Sequence, residues 1–265
     1  MVPILFSIGP FTLYSLWIFV IAGMLLSTLL FLRKVKYNRM NLSLLLDHGL
    51  SLLLATVVIS RLAFFLTNWG YFGMFSWGTF LKQLVYFWQP GYSFWGAVVG
   101  FGAMLWVHAL RKGENLLDWM DALLFPLFVG MMLGHIGQLL DGQGYGRETI
   151  LPWGITFETT NVKYTVPIHP TQIYGILLIL IILLSRKKAI EKWPMLGQKH
   201  LGVLAMMSAY SLGRFLIEFF RGDDTLQLGF VRIGHVGWLV ALGVSGWMLW
   251  RQLQKPEGEA HSFIA

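Results

Sequence analysis

A chain of 265 residues that is 56% hydrophobic and only 12% charged, with a mean hydropathy of +0.62, cannot cover itself with a water-facing surface, because soluble domains carry about 25% charged residues. Its net charge of +7 would suit nucleic acid, but the basic residues lie in short segments between apolar runs, where lipid headgroups meet them, and nucleic acid is excluded as a partner. With no cysteine, the chain has no disulfide, no thiolate nucleophile and no cysteine-based metal site.

Apolar runs of roughly 20 residues, the length that crosses a ~30 Å hydrocarbon core, recur throughout. They predict an all-α polytopic membrane protein, a bundle of about seven transmembrane helices forming a single integral membrane domain over 1–265. In chain order the predicted spans are 11–32, 43–67, 91–110, 117–140, 170–185, 200–220 and 235–250. The first is read as a span and not a cleavable signal peptide, since no Lys or Arg precedes it and no A-x-A site follows it. Thirteen Lys and Arg fall in the tail and the connections after spans one, three and five, against five on the opposite side. The positive-inside rule then places the N-terminus outside and the C-terminus in the cytoplasm. The outer connections, 68–90, 141–169 and 221–234, carry Trp69, Tyr71, Phe72, Trp77, Tyr86, Phe87, Trp88 and Trp153, as an interfacial aromatic belt would.

Ionisable groups at membrane depth cost at least ~2.5–3.5 kcal/mol and so face the bundle interior. Span two contains Asp47, His48 and Arg61, and span four begins with Asp118 and Asp121; Asp47 and Asp121 are read as interhelical hydrogen-bonding groups. The end of span four runs Gly134-His135-Ile136-Gly137-Gln138 to Asp141-Gly142-Gln143-Gly144-Tyr145-Gly146-Arg147. Its glycines allow close backbone approach to a ligand, with Arg147 completing an anion-binding edge, or else form a flexible surface turn. Span five opens with His169-Pro170-Thr171-Gln172-Ile173-Tyr174, where Pro170 signals a helix start and His169 either caps it or orients a ligand. Span six carries Tyr210, Arg214 and Glu218 and is followed by Arg221, all on one helical face. Either Arg214 and Glu218 neutralise each other, or a permanently charged guanidinium fork awaits a phosphate. No convergent metal-ligand set is visible, and neither paired broken helices nor an inverted repeat suggests a transporter.

Three of these stretches together resemble the bacterial phosphatidylglycerol–prolipoprotein diacylglyceryl transferase family. They are His169-Pro-Thr-Gln-Ile-Tyr174, Tyr210-x-x-x-Arg214-Phe-x-x-Glu218-Phe-Phe-Arg221, and the Gly-rich exit of span four through Tyr145-Gly146-Arg147 to Leu151-Pro-Trp-Gly154. Phe6-Ser-Ile-Gly-Pro10, and Asp121 with Pro126, match further parts of the pattern in order. The chain departs from the family at Leu16-Trp17, at Trp95-Gly96-Ala97 in place of His-Gly-Gly, at Gly134-His135-Ile136-Gly137-Gln138 in place of Gly-Arg-x-Gly-Asn, and at Gln143 in place of a glutamate.

The resemblance implies a bacterial cytoplasmic (inner) membrane enzyme of lipoprotein maturation, needing no metal or cofactor. Its partners are phosphatidylglycerol and prolipoprotein signal peptides. It moves a diacylglyceryl group from the lipid to a substrate cysteine thiol, and glycerol phosphate leaves. Arg214 and Glu218 are the expected catalytic charges, Glu218 either orienting Arg214 or acting as a base. His169 and His135 are the candidate bases for the thiol. Tyr210, Arg221, Arg147, Gly146, Gln138 and Gln172 are expected to bind substrate. The departures leave two alternatives: a relative that binds lipid or signal peptides without catalysis, and one that acts on another headgroup or acceptor.

Overall fold

The structure, a computed structural model, describes residues 3–9, 11–68, 78, 81–82, 85–86, 91–159, 161–228 and 231–254. Most of the aromatic belt expected in the first outer connection, Trp69, Tyr71, Phe72, Trp77, Phe87 and Trp88, therefore lies outside the described residues, as does Lys255. The chain groups into two units, one of Met1–Asn38 with Trp119–His261 and one built on Arg39–Asp118.

The first unit opens with a β-hairpin where the first span was expected to begin. Strand β1 (Ile4–Ile8) pairs antiparallel with β2 (Phe11–Tyr14), and Gly9 adopts the left-handed conformation that a tight reversal needs. Ser7 and Thr12 face each other across the pair with their hydroxyls 3.3 Å apart. Helix α1 (Ser15–Tyr37) follows. The unit continues with α4 (Leu116–Asp141, which starts just before it), α5 (Thr171–Lys192), α6 (Leu201–Glu218), a short β3–β4 pair (Gln227–Leu228 with Val231–Arg232) and α7 (Ile233–Leu253). Small residues set the α1–α4 crossing: a Cβ on Gly23 would come within 2.8 Å of the Gly130 carbonyl. Helices α6 and α7 are joined by a Ser208–Ser245 hydroxyl bond of 3.0 Å.

The second unit holds α2 (Ser43–Thr67) and α3 (Phe94–Lys112). The side chain of Ser93 accepts from the Gly96 amide to cap α3, and Gly113, left-handed, ends it. Gly96 and Gly100 let α3 lie directly on the α2 backbone, where a Cβ would come within 2.8 Å of Ile59 O and 2.6 Å of Ala55 O. The in-span Arg61 is 4% exposed and donates to the carbonyls of Gly91 and Tyr86, so its charge fastens a connection to α2. Asp47 of α2 lies 3.9 Å from Lys112 of α3, a long ion pair between exposed side chains where a hydrogen bond was expected. His48 and His108 stack with ring centroids 3.9 Å apart. Ser51 gives its proton to the His48 carbonyl and so accepts from His108 Nε2 at 2.8 Å.

Among the described residues, six of the seven α-helices named above have the length and hydropathy of a membrane span. Helix α5 falls short because its first 18 residues already include Arg186, Lys187 and Lys188. Its uncharged part, 171–185, covers only about 22 Å at ~1.5 Å per residue, and long basic side chains extend from there to the interface.

Candidate active site

The site of interest lies in the first unit, at the end where α4 finishes and α5 begins. Gly142 and Gly144, both with positive φ, turn the chain out of α4. The connection that follows is no loose turn. Tyr145, Phe157, Val162 and Ile168 form a small apolar core of their own, with Leu139, Ile155 and Tyr164 packed against it. Two side chains at the start of α5 then fix the glycine-rich segment by its carbonyls: Thr171 donates to Gly144 O, and Gln172 to Gln143 O at 2.7 Å. Both are almost wholly buried.

Gly146 is the knot of this arrangement. Its amide donates to His169 O at 3.0 Å, the His169 amide donates to Arg147 O, the Arg147 amide donates to Phe220 O, and the Gly222 amide donates to Tyr145 O. The exit of α4, the approach to α5 and the end of α6 thus share one backbone crossing. A Cβ on Gly146 would come under 3.0 Å of the carbonyl oxygens of both His169 and Phe220, so only glycine fits. Lys163 latches the two loops further by an ion pair to Asp224 at 2.7 Å, a bond that raises the lysine's pKa.

His169 sits beside this crossing, 9% exposed, with its Nδ1 2.9 Å from the Tyr174 hydroxyl, which also accepts from Trp153 Nε1. Its ring lies 5.0 Å from that of Phe220. Burial lowers its pKa below the ordinary 6.5. The folded ring resists a proton that the unfolded chain accepts, so His169 weakens folding as pH falls through about 6.5 and is neutral in this respect above it. Thermal midpoints measured between about pH 7.5 and 5.5 are therefore expected to drop more steeply for the native chain than for His169→Gln; equal slopes would remove His169 from the pH response.

Deeper in the unit, His135 Nδ1 lies 3.0 Å from Gln138 Oε1. An amide oxygen only accepts, so Nδ1 carries the proton and Nε2 the lone pair. That Nε2 is buried without a hydrogen bond and faces Gly175 of α5, where a Cβ would meet it at 2.6 Å. On α6, the Tyr210 hydroxyl is buried and unpartnered, its ring held between Phe128 at 5.0 Å and Trp238 at 5.6 Å. Arg214 is 9% exposed, its Nε has no partner, and its guanidinium lies 5.4 Å from the centre of the Trp238 ring.

The structure separates Arg214 from the residue expected to pair with it. Glu218, 1% exposed, accepts from Arg232 at Oε1, 2.9 Å away, and from Arg221 at Oε2, 3.5 Å away. Arg232 and Arg221 also both bind Asp223. Glu218, Asp223, Arg221 and Arg232 thus make a closed, charge-balanced network, and Arg214 stands outside it with no carboxylate partner among the described residues. Arg221, expected to bind substrate, is taken up by this network. The Arg147 side chain is exposed and makes one hydrogen bond among the described residues, from Nε to Arg221 O at 3.1 Å. Asp121, expected to serve as an interhelical group, makes no hydrogen bond or ion pair among the described residues.

Sequence reasoning gives no role to Arg232 or Trp238, and leaves open whether His235 compensates for the altered family positions. The spacing of these three residues, three and three, places them on one face at the start of α7. His235 is 7% exposed, lies 4.3 Å from the Phe219 ring, and has neither ring nitrogen hydrogen-bonded. Among the described residues no three His, Asp or Glu side chains converge as a metal site requires.

The model of the prolipoprotein diacylglyceryl transferase family matches residues 3–251. A phosphatidylglycerol–prolipoprotein diacylglyceryl transferase of Coxiella burnetii (strain RSA 331 / Henzerling II) is 30% identical over 173 residues, which cover 62% of this chain and 62% of that relative. Enzymes of the same name from Nostoc sp. (strain PCC 7120) and Gloeobacter violaceus are 26% and 27% identical, over 96% of this chain and 92% and 95% of their own lengths. Because the match runs in order from the hairpin to the last helix and takes in every motif of the site, the chain belongs to the prolipoprotein diacylglyceryl transferase family.

Proposed function

We propose that this protein transfers the diacylglyceryl group of phosphatidylglycerol to the cysteine thiol of a prolipoprotein signal peptide. The observation that carries this is Arg214, a buried guanidinium with no carboxylate paired to it among the described residues. A lone buried cation is costly unless an anion joins it, and a phosphodiester held in the outer leaflet is an anion of the right geometry. Tyr210, with a free buried hydroxyl four residues away on the same helix face, donates to the same headgroup.

The chemistry then balances simply. The thiol sulfur attacks the glyceryl carbon of the lipid, an S–C bond forms, and the C–O bond to phosphate breaks. Glycerol phosphate leaves with an added negative charge, which Arg214 stabilises at low dielectric. The thiol proton goes to His135, whose Nε2 lone pair is unclaimed. His169 positions the loop through its backbone bonds, and Gln138 fixes the His135 tautomer. Gln172 and Gly146 hold the glycine-rich segment in place, and Arg147, exposed above it, meets the headgroup from outside. Arg221 and Glu218 brace the end of α6 through their network.

The apolar helices and the charge asymmetry of the connections support the setting proposed for it: one membrane domain in the bacterial cytoplasmic membrane, N-terminus outside and C-terminus in the cytoplasm. The test is turnover. Purified protein supplied with phosphatidylglycerol and a peptide bearing the signal-peptide cysteine should yield peptide heavier by one diacylglyceryl group. Folded protein that binds the lipid and leaves the peptide unmodified would mean a binding relative instead.

A further inference from the structure

We propose that the cation-rich end of the first unit holds a second anionic phospholipid, one whose headgroup carries hydroxyls as well as phosphate, in the leaflet opposite the Arg214 site. A cavity of about 720 Å³ opens there among α1, α4, α5 and α6, within the ~300–1,000 Å³ usual for small-ligand sites. Arg33, Lys34 and Lys36 of α1 and Arg186 of α5 line it, with Asp121 of α4 as its one carboxylate. None of the four cations is ion-paired among the described residues; Lys34 lies over the Tyr37 ring at 5.5 Å. The remaining wall is apolar, including Leu30, Phe125, Leu183 and Met206. A second cavity of about 190 Å³ between α5 and α6 shares Arg186 and Met206 and is otherwise lined mainly by aliphatic side chains such as Ile182, Ala205 and Ala209.

This arrangement has the parts of a lipid site in the right order. Four cations line one cavity that could receive a phosphodiester, and the arginine forks suit it. Basic pockets between membrane helices take anionic headgroups on this side of a bilayer. The smaller, mainly aliphatic cavity meets the larger at Arg186 and Met206, beside the cations, where an acyl chain could lie.

Asp121 narrows the chemistry. A carboxylate among four cations repels a bare phosphate but accepts hydrogen bonds from hydroxyls, so a glycerol-type headgroup fits and a bare phosphomonoester fits less well. A zwitterionic headgroup would bring its ammonium or choline against the cations. The site is distinct from the first: from Asp121 to Asp141 along α4 is 20 residues, or about 30 Å, the thickness of the hydrocarbon core.

Native mass spectrometry of the full-length protein, delipidated in detergent and titrated with phosphatidylglycerol, tests this. Two bound lipids are expected for the native chain, one for Arg33→Gln/Arg186→Gln and one for Arg214→Ala. The Arg33→Gln/Arg186→Gln protein should keep its transferase turnover if the proposed activity holds, which separates the two sites. Asp121→Asn should reduce the preference for phosphatidylglycerol over phosphatidic acid about fivefold, because a neutral acceptor binds hydroxyls less strongly than a carboxylate and no longer repels the phosphomonoester. Two arms need no variant. Phosphatidylcholine filling the second site as well as phosphatidylglycerol would overturn the proposal, and so would full competition by free glycerol phosphate, which would mark a site for a soluble anion. An unchanged two-lipid count in Arg33→Gln/Arg186→Gln would overturn it as well.

Discussion

Arg214→Ala is expected to lower diacylglyceryl transfer by about 100- to 1,000-fold, the range seen when one preorganised donor to a developing anion is removed, while the protein still folds and inserts. The second half of this expectation is the unusual one. Removing an ion-paired arginine from a membrane interior leaves a carboxylate stranded, but Arg214 has no such partner among the described residues, since Glu218 is held by Arg232 and Arg221. Taking its charge away therefore relieves a desolvation cost. Thermal midpoints in detergent without added lipid should be equal to or above the native value, and the gain in midpoint on adding phosphatidylglycerol should shrink. Arg214→Lys should recover little activity, because an ammonium keeps the charge and loses the planar fork over Trp238. Full turnover by the alanine variant would remove the phosphate-clamp role. Collapse of its expression would make Arg214 structural.

Breaking the neighbouring network should have the opposite signature. Glu218→Gln, or Arg232→Met, leaves an uncompensated buried charge where both partners are almost fully enclosed. Losses of that kind are about 3–5 kcal/mol, enough to deplete folded protein in the membrane. The double variant Glu218→Leu/Arg232→Met removes both charges and should be more stable than either single change, and Arg221 with Asp223 remains paired beside it. Chemical-denaturant midpoints of the three variants decide the matter: additive losses would show that the two residues do not act as a pair. Activity adds a second reading. If Glu218 were a base, the double variant would be stable and inactive; if it only braces α6, the double variant should retain much of its turnover.

The two sets of variants show what the sequence disclosed and what it withheld. Hydropathy located the helices because burial in lipid imposes a run length that no packing detail can override, and the spans over 43–67 and 117–140 fall within a residue of the observed ends. It misplaced the first because the residues of the two strands are mostly apolar, so hydropathy cannot distinguish a hairpin there from the start of a helix. Arg214 was conspicuous as a charge inside a span. Its true isolation was not, because helical spacing suggests Glu218 as its neighbour, whereas the carboxylate is taken by Arg232, 14 residues on and across a chain reversal. The glycine-rich exit of α4 was legible as unusual backbone. Its apolar core was not, because Tyr145, Phe157, Val162 and Ile168 follow no period.

The Gly146 crossing has a consequence for biosynthesis. It draws on backbone from residues 145–147, 169 and 220–222, so a nascent chain inserting helix by helix has nothing with which to close it until α6 has left the ribosome. The early helices can enter the bilayer with their lipid-facing surfaces finished while the reactive end is still open. Competence to modify a substrate would then arrive as one late event, and a chain cut short before residue 220 would be a membrane protein without a workplace.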